Sequence, residues 1–324
     1  PGNWEKINRM SIIADNQVKM AHLAIVGSYS VNGVAKLHTE ILKKKEMSDF
    51  YYLYPNKFSN KTNGITHRRW LLKSNPHLTK LLKDTIGDSF IRHPIDLKNF
   101  ERHLNDQVVL RQLEKIKKFN KEKLANVILK NDNIIVDTDS IFDVQVKRIH
   151  AYKRQMLNCL RIMDLYNTLI DNPNYDIVPR TFIFGGKAAP GYYLAKSTIE
   201  LINSVANKIN NDPRVNEKMK VVFIQNYRVS LAENIIPGTD VSEQISTTTK
   251  EASGTSNMKF MMNGAITVAT LDGANIEIRD EVADDNIVIF GLTADEVLNY
   301  YQNGGYRSID IYNSDKRVKR VIDD

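Results

Sequence analysis

Three short stretches of this sequence gather side chains able to do chemistry. The first is Lys147-Arg148-Ile149-His150-Ala151-Tyr152-Lys153-Arg154, four cations and a histidine between a strand and a helix. Cations at a helix start face the positive end of its dipole, which costs stability unless an anion sits there. Phosphate suits the position, because arginine forks, lysine charges and free backbone N–H groups all bind it. A solvated basic turn is the plainer alternative. The second stretch, Glu251-Ala252-Ser253-Gly254-Thr255-Ser256-Asn257-Met258-Lys259, offers hydroxyls and flexible backbone ahead of a lysine among apolar neighbours. Desolvation lowers a lysine pKa and favours an amine able to form a Schiff base. The stretch has neither P-loop nor GxGxxG spacing, so on spacing alone a capped helix with a surface lysine is the simpler reading. The third, Asn226-Tyr227-Arg228-Val229-Ser230, can flank a planar ring and its charge; a core tyrosine beside a surface arginine is equally open. Gly185-Gly186-Lys187 lacks P-loop spacing and reads as a tight strand-to-helix turn. No Ser-His-Asp set, carboxylate pair or zinc-type spacing is visible, and the one cysteine, Cys159, has no partner for an internal disulfide.

These stretches must be held by a scaffold, and from about residue 141 the pattern supplies one. Short apolar runs at 142–146, 181–184, 221–224, 266–271 and 287–290 alternate with helical segments near 156–169, 191–210 and 229–235. Strands that are apolar throughout, not alternately, predict an α/β fold with a Rossmann-like parallel sheet covered by helices on both faces. Ligands of such sheets bind beyond the carboxyl ends of the strands, where all three stretches fall. Upstream, residues 16–46 read as helix, stop, helix. The turn formers of 55–66 mark a domain boundary. Residues 96–130 read as a peripheral charged helical layer with Leu110, Leu113, Ile116 and Leu124 as its apolar stripe.

The chain has 324 residues, a net charge of +7, 42% hydrophobic and 26% charged residues. Those proportions exclude a disordered chain, a collagen-like repeat and a disulfide scaffold. The modest basic excess fits a phosphate-bearing ligand as well as a solvated surface. The runs Lys43-Lys44-Lys45 and Arg317 to Arg320 end apolar-periodic segments and read as structural, not as evidence of nucleic acid. No apolar run reaches the roughly 18 residues of a membrane helix. The start, Pro1-Gly2-Asn3-Trp4, carries neither Met nor a signal pattern and reads as a cut from something longer.

Taken with Val31-Asn32-Gly33-Val34-Ala35, Asn60 to Thr66, Arg68-Arg69-Trp70 and Asp272-Gly273-Ala274-Asn275, the three stretches resemble the C-terminal part of the α-glucan phosphorylases, the glycogen, starch and maltodextrin enzymes. The resemblance implies a GT-B-type C-terminal domain over 65–324, incomplete at its end, preceded by a helical remnant of an N-terminal domain over 1–64. It implies phosphorolysis of a terminal α-1,4-linked glucose to glucose 1-phosphate, with pyridoxal 5'-phosphate as a Schiff base on Lys259. The resemblance further implies that the cofactor's phosphate, not its ring, takes part in proton transfer.

By the same resemblance Lys259, Arg148 and Lys153 are the catalytic residues, the latter two holding substrate phosphate. Lys147, Trp70, Tyr227, Arg228, Gly254, Thr255 and Ser256 line the cofactor, while Asn63, Val34, Tyr152, Glu251, Ser253 and Gly254 meet the glucosyl unit. The implied partners are an α-1,4-glucan and inorganic phosphate, with no nucleic acid, membrane or metal. A homodimeric parent enzyme, cytoplasmic or plastid residence, and inactivity of the 324 residues alone complete the expectation. His67 stands where most members carry Pro and is expected to loosen the turn into Trp70. A nucleotide-sugar glycosyltransferase of the same architecture and a non-catalytic glucan-binding scaffold are the alternatives.

Overall fold

A computed structural model describes residues 2–324. Six strands form its centre: β1 Ile141–Val146, β2 Arg180–Gly185, β3 Met219–Ile224, β4 Val241–Gln244, β5 Ile266–Ala269 and β6 Val288–Ile289. They lie in the order β3-β2-β1-β4-β5-β6, every neighbouring pair parallel. This is the expected doubly wound, Rossmann-like sheet. The chain starts in the middle, winds to one edge, then returns and winds to the other. The direction reverses between β1 and β4, the kind of switch point beyond whose carboxyl strand ends such sheets bind ligands.

Helices cover both faces. On one lie α2 Gln107–Asp132, α5 Val229–Ile235 and α6 Ser256–Met262, with Leu124, Ile128, Leu231, Ile235 and Phe260 packed on Val144, Val146, Ile183 and Val222. On the other, α3 Gln155–Asp171 and α4 Tyr193–Asn210 bring Ile162, Leu169, Ile202 and Ile209 onto Phe182, Phe184 and Val221. Adjacent residues of one strand thus enter opposite cores, which is why these strands read as continuous apolar runs. Each such side chain contributes about 1.5–3 kcal/mol on burial.

The structure departs from the sequence reading at four points. Residues 107–132 are not peripheral: α2 inserts Leu124 and Ile128 into the central core, while Leu110, Leu113 and Ile116 are only half-buried. The strand β4 has no apolar run, since Val-Ser-Glu-Gln carries buried polar side chains, and it escapes a hydrophobicity reading. The segment 94–103 is a 3₁₀ helix separated from α2 by a turn. The basic run at 317–320 is structural, but through ion pairs of Arg317 with Asp164 and Arg320 with Asp171 on α3.

Upstream of the sheet, helices Met20–Gly27 and Lys36–Ile41 appear as expected, the second running into a π-helical turn, Leu42–Glu46. The short strands Val31–Gly33 and Phe58–Asn60 pair in parallel. This part has its own small core of Ile25, Phe50 and Phe58. The turn-rich stretch then leads through extended chain to a π-helical turn, Arg68–Lys73, and to α1, Pro76–Ile86. Among the described residues no helix is long and apolar enough to cross a membrane.

Candidate active site

The basic loop leaves β1 while still hydrogen-bonded to the β2 turn, Lys147 N–H to Gly185 O (2.9 Å) and Ile149 N–H to Lys187 O (3.1 Å). Gly186 allows this approach, because a Cβ there would lie 1.9 Å from the Lys147 carbonyl oxygen. A single 3₁₀ turn, Ala151–Lys153, follows, and Arg154 adopts a left-handed backbone, φ 59°, to start α3. The cations therefore sit in the loop and turn ahead of α3. Arg154 is a strut within this array: its Nε and Nη2 donate to Ile245 O (2.6 Å) and Ser246 O (3.4 Å) across the sheet.

The loop meets α6 at the point where strand order reverses. Gln244, last residue of β4, accepts from Lys147 Nζ (2.9 Å) and from Ser256 Oγ (3.2 Å) on one oxygen, while its Nε2 donates to Ser242 Oγ (2.9 Å). Burial pulls the Lys147 ammonium pKa down to about 8, and the charge of Lys153 adds to this against Glu251 and Glu243. Lys153 behaves oppositely. Burial works against its charge, but an ion pair with Glu251 and the hydroxyl end of the Tyr152 side chain hold its pKa above the usual lysine value. Arg148 is exposed at the mouth.

Behind the mouth, Lys259 on α6 places Nζ 4.2 Å from the centroid of the buried Trp70 ring. Desolvation lowers its pKa, as expected of a lysine able to attack a carbonyl carbon. Tyr227 packs against the central core, and burial pushes its phenol up to about 12. Arg228 is exposed, with Nη1 donating to Asn226 O (3.2 Å).

A second hub holds the Glu251 stretch. The fully buried Asp272 carboxylate accepts from His38 Nε2, Thr249 N–H and Gly273 N–H on one oxygen, each at 3.0 Å. Its other oxygen accepts from Ser246 Oγ (3.0 Å), Lys250 N–H (3.3 Å) and Glu251 N–H (2.7 Å). Gly273 is forced: its φ is +52°, and a Cβ would lie 2.6 Å from Ser253 O. Through His38 this hub reaches the segment upstream of the sheet, where Asn63 N–H bonds Val34 O (2.9 Å). Glu277, on α7 Asn275–Val282, adds a second tie by accepting from Thr62 Oγ1.

A carbohydrate phosphorylase family model matches residues 1–324. The chain belongs to the carbohydrate phosphorylase family. It is 57% identical over 323 residues to the glycogen phosphorylase of Bacillus subtilis (strain 168), covering all of this chain and 40% of that protein. The human liver form of glycogen phosphorylase is 50% identical over 326 residues, and the glycogen phosphorylase of Synechocystis sp. (strain ATCC 27184 / PCC 6803 / Kazusa) 49%, each over all of this chain and 38% of the relative. The chain thus spans about two fifths of the length of these relatives.

Within this phosphorylase chain the residues expected at a site group as follows. Lys147 joins Ser256 through Gln244, Lys153 joins Glu251, Lys259 joins Trp70, and Val34 joins Asn63. Tyr152 is tied to the same assembly by its carbonyl, which accepts from Thr247 N–H (2.7 Å). Gly254, at φ 73°, and Thr255 form the turn into α6, and Ser253 O accepts from Ala274 N–H (2.9 Å). Arg148 and Arg228 stand apart, each exposed and without an ion pair among the described residues. His67 does not loosen its turn: it is buried, and its Nε2 lies 3.0 Å from Ile91 O, which fastens the start of the Trp70 turn. The sequence reading overlooked Gln244, His38 and a role for Asp272; a run of polar residues closing a buried strand is the signal that marks Gln244.

Proposed function

We propose that this chain supplies the cofactor- and phosphate-binding part of an α-glucan phosphorylase, which cleaves the terminal α-1,4-linked glucose of glycogen, starch or maltodextrin with inorganic phosphate to give glucose 1-phosphate. The observation that carries the reading is the convergence of Lys147 and Ser256 on one acceptor oxygen, Gln244 Oε1. It brings the cationic loop and the helix of Lys259 to one crevice, and both donors are set to turn to a phosphate oxygen.

The residues fit pyridoxal 5'-phosphate. Lys259 is a half-buried amine of lowered pKa against an indole face, Trp70 and Tyr227 offer aromatic surface, and Lys147, Ser256 and the Gly254–Thr255 turn supply donors for a phosphate. When bound, the cofactor supplies a phosphate group able to exchange a proton with substrate phosphate. Arg148 and Lys153 hold the substrate phosphate. Lys153 stays charged throughout because Glu251 keeps its pKa high. Glu251, Ser253, Gly254, Tyr152, Asn63 and Val34 orient the glucosyl unit, the last two from the segment upstream of the sheet. Charge developing on the sugar as the glycosidic bond breaks is balanced by phosphate, whose own charge the cations stabilise.

Residues 1–64 belong, on this reading, to an N-terminal domain, and 65–324 to the cofactor-bearing domain. The whole enzyme is a homodimer of the cytoplasm or a plastid, and the 324 residues alone turn over little or no glucan. The test is borohydride reduction of the chain mixed with pyridoxal phosphate, followed by peptide mapping. A pyridoxyl group on Lys259 supports the reading and excludes the nucleotide-sugar glycosyltransferase; label spread over surface lysines with Lys259 spared overturns it.

A further inference from the structure

We propose that Asn263 is a positioning residue that clips the backbone of Trp70 to that of Lys259, and that Asn75 and Asn120 fix its carboxamide in the orientation this requires. The inference deepens the reading of Lys259 as the cofactor lysine. Asn263 follows α6 and is buried. Its Nδ2 donates to Lys259 O (2.9 Å), one turn back, and to Trp70 O (2.7 Å), 193 positions away in the chain. Its Oδ1 accepts from Asn75 Nδ2 (3.1 Å), and Asn75 Oδ1 accepts from Asn120 Nδ2 (3.1 Å). All three asparagines are buried, where a hydrogen bond between amides is stronger than in water.

The Trp70 carbonyl needs this partner. In the turn Arg68–Lys73 the backbone is wound with π-type spacing, and Ser74 N–H reaches back five residues to Arg69 O (3.1 Å). The next donor, Asn75 N–H, reaches back only four, to Leu71 O (2.9 Å). The change of register passes over Trp70 O, and the Asn263 side chain takes it. A π-helical turn of this kind often marks a functional site; here it frees a carbonyl by which the indole can be set from another element.

Lys117 secures the other side of Asn263. Its Nζ donates to Asn263 O (3.1 Å) and Thr239 O (2.6 Å). Helices α1, α2 and α6 and the Trp70 turn are thereby joined by directional bonds. Apolar packing alone would let α6 slide against the turn by a fraction of an ångström, and the separation of Lys259 Nζ from the indole would drift. An amide clip fixes it.

The test compares Asn263→Asp, nearly isosteric but turning oxygens toward two carbonyls, with Asn263→Ser, which keeps one donor but cannot span both. Both are made in the full protein chain. Two readouts apply: the rate at which Lys259 captures added pyridoxal phosphate, trapped by borohydride, and the pH midpoint for trace acetylation of Lys259 relative to exposed Lys83. In N263D capture slows at least tenfold and the Lys259 midpoint rises toward that of Lys83; N263S lies between N263D and the unsubstituted chain. Capture within twofold and an unmoved midpoint, in whichever variant keeps a cooperative thermal transition, overturn the proposal. If the unsubstituted chain captures no pyridoxal phosphate at Lys259 while the midpoint still moves in the variants, the cofactor reading fails and the positioning role stands.

Discussion

Replacing Asp272 by Asn keeps the shape of the side chain and removes half of its capacity to accept. The carboxylate holds six donors, three on each oxygen, at 2.7–3.3 Å. An amide keeps one acceptor oxygen and turns an NH₂ group toward the other three donors. Hydrogen bonds to a charged group contribute about 1.5–3 kcal/mol each, and buried donors left unpaired cost about 1–3 kcal/mol apiece. The donors are not independent, so the sum overstates the loss, and about 3–5 kcal/mol, the figure for breaking a buried charged network, is the expected value. For a chain of 324 residues that corresponds to a fall in Tm on the order of 4–7 °C. Differential scanning calorimetry measures the global effect. Hydrogen exchange then shows faster exchange at Thr249, Lys250, Glu251 and Gly273, whose N–H groups the carboxylate holds, and around His38. A loss below about 1 kcal/mol, with exchange at those amides unchanged, would refute the view that Asp272 organises the Glu251 loop.

Other outcomes follow from the same geometry. Phosphate affinity, measured by calorimetry, should weaken as pH rises through about 8, where Lys147 loses its charge, and Lys147→Met should abolish that fall; Lys153, with its raised pKa, stays charged through the window. Gly186→Ala should destabilise the chain by at least 2 kcal/mol in urea titration, on the order of an overpacked core, since the new Cβ meets a backbone carbonyl at 1.9 Å. Glu251→Gln should bring the Lys153 pKa down toward its ordinary value, read by NMR titration of its side chain, by removing the partner that offsets burial. Burial pushes the Cys159 thiol up to about 12, so its reaction with a disulfide reagent at pH 8 should proceed only at the rate of unfolding.

Most of the fold was legible because β2 and β3 are buried on both faces and carry the unbroken apolar runs Phe182–Phe184 and Val221–Ile224, while β1 keeps Phe142, Val144 and Val146 between its buried polar residues. The strand β4 was not, for a physical reason: it borders the crevice, and its side chains make hydrogen bonds where its neighbours pack. Glu243, buried beside Arg161 and Asp143, is a charge a hydrophobicity reading assigns to the surface. The site divides in the same way. Lys147 and Lys153 stand out as part of a basic cluster ahead of a helix, whereas Lys259 and Glu251 are singled out through the family resemblance, since spacing alone favours a capped helix with a surface lysine. Asn263, Asp272 and His38 act through bonds to residues as far as 234 positions away, and nothing local in the sequence encodes such a bond. His67 shows the converse: a substitution that looks like a loosened turn by local rules is a fastening once its ring meets Ile91.

The middle of the sheet carries a consequence for how this chain can change. In many proteins the framework and the reactive surface are separable, and mutations that harden one spare the other. Here Ser242 and Gln244 are both a rung of the central ladder and the anchorage of Lys147. Exchanging them for aliphatic residues would remove the lysine's tether whatever it gained in packing. Selection for heat tolerance must therefore spare these two positions, and the strand beside the site is left chemically demanding.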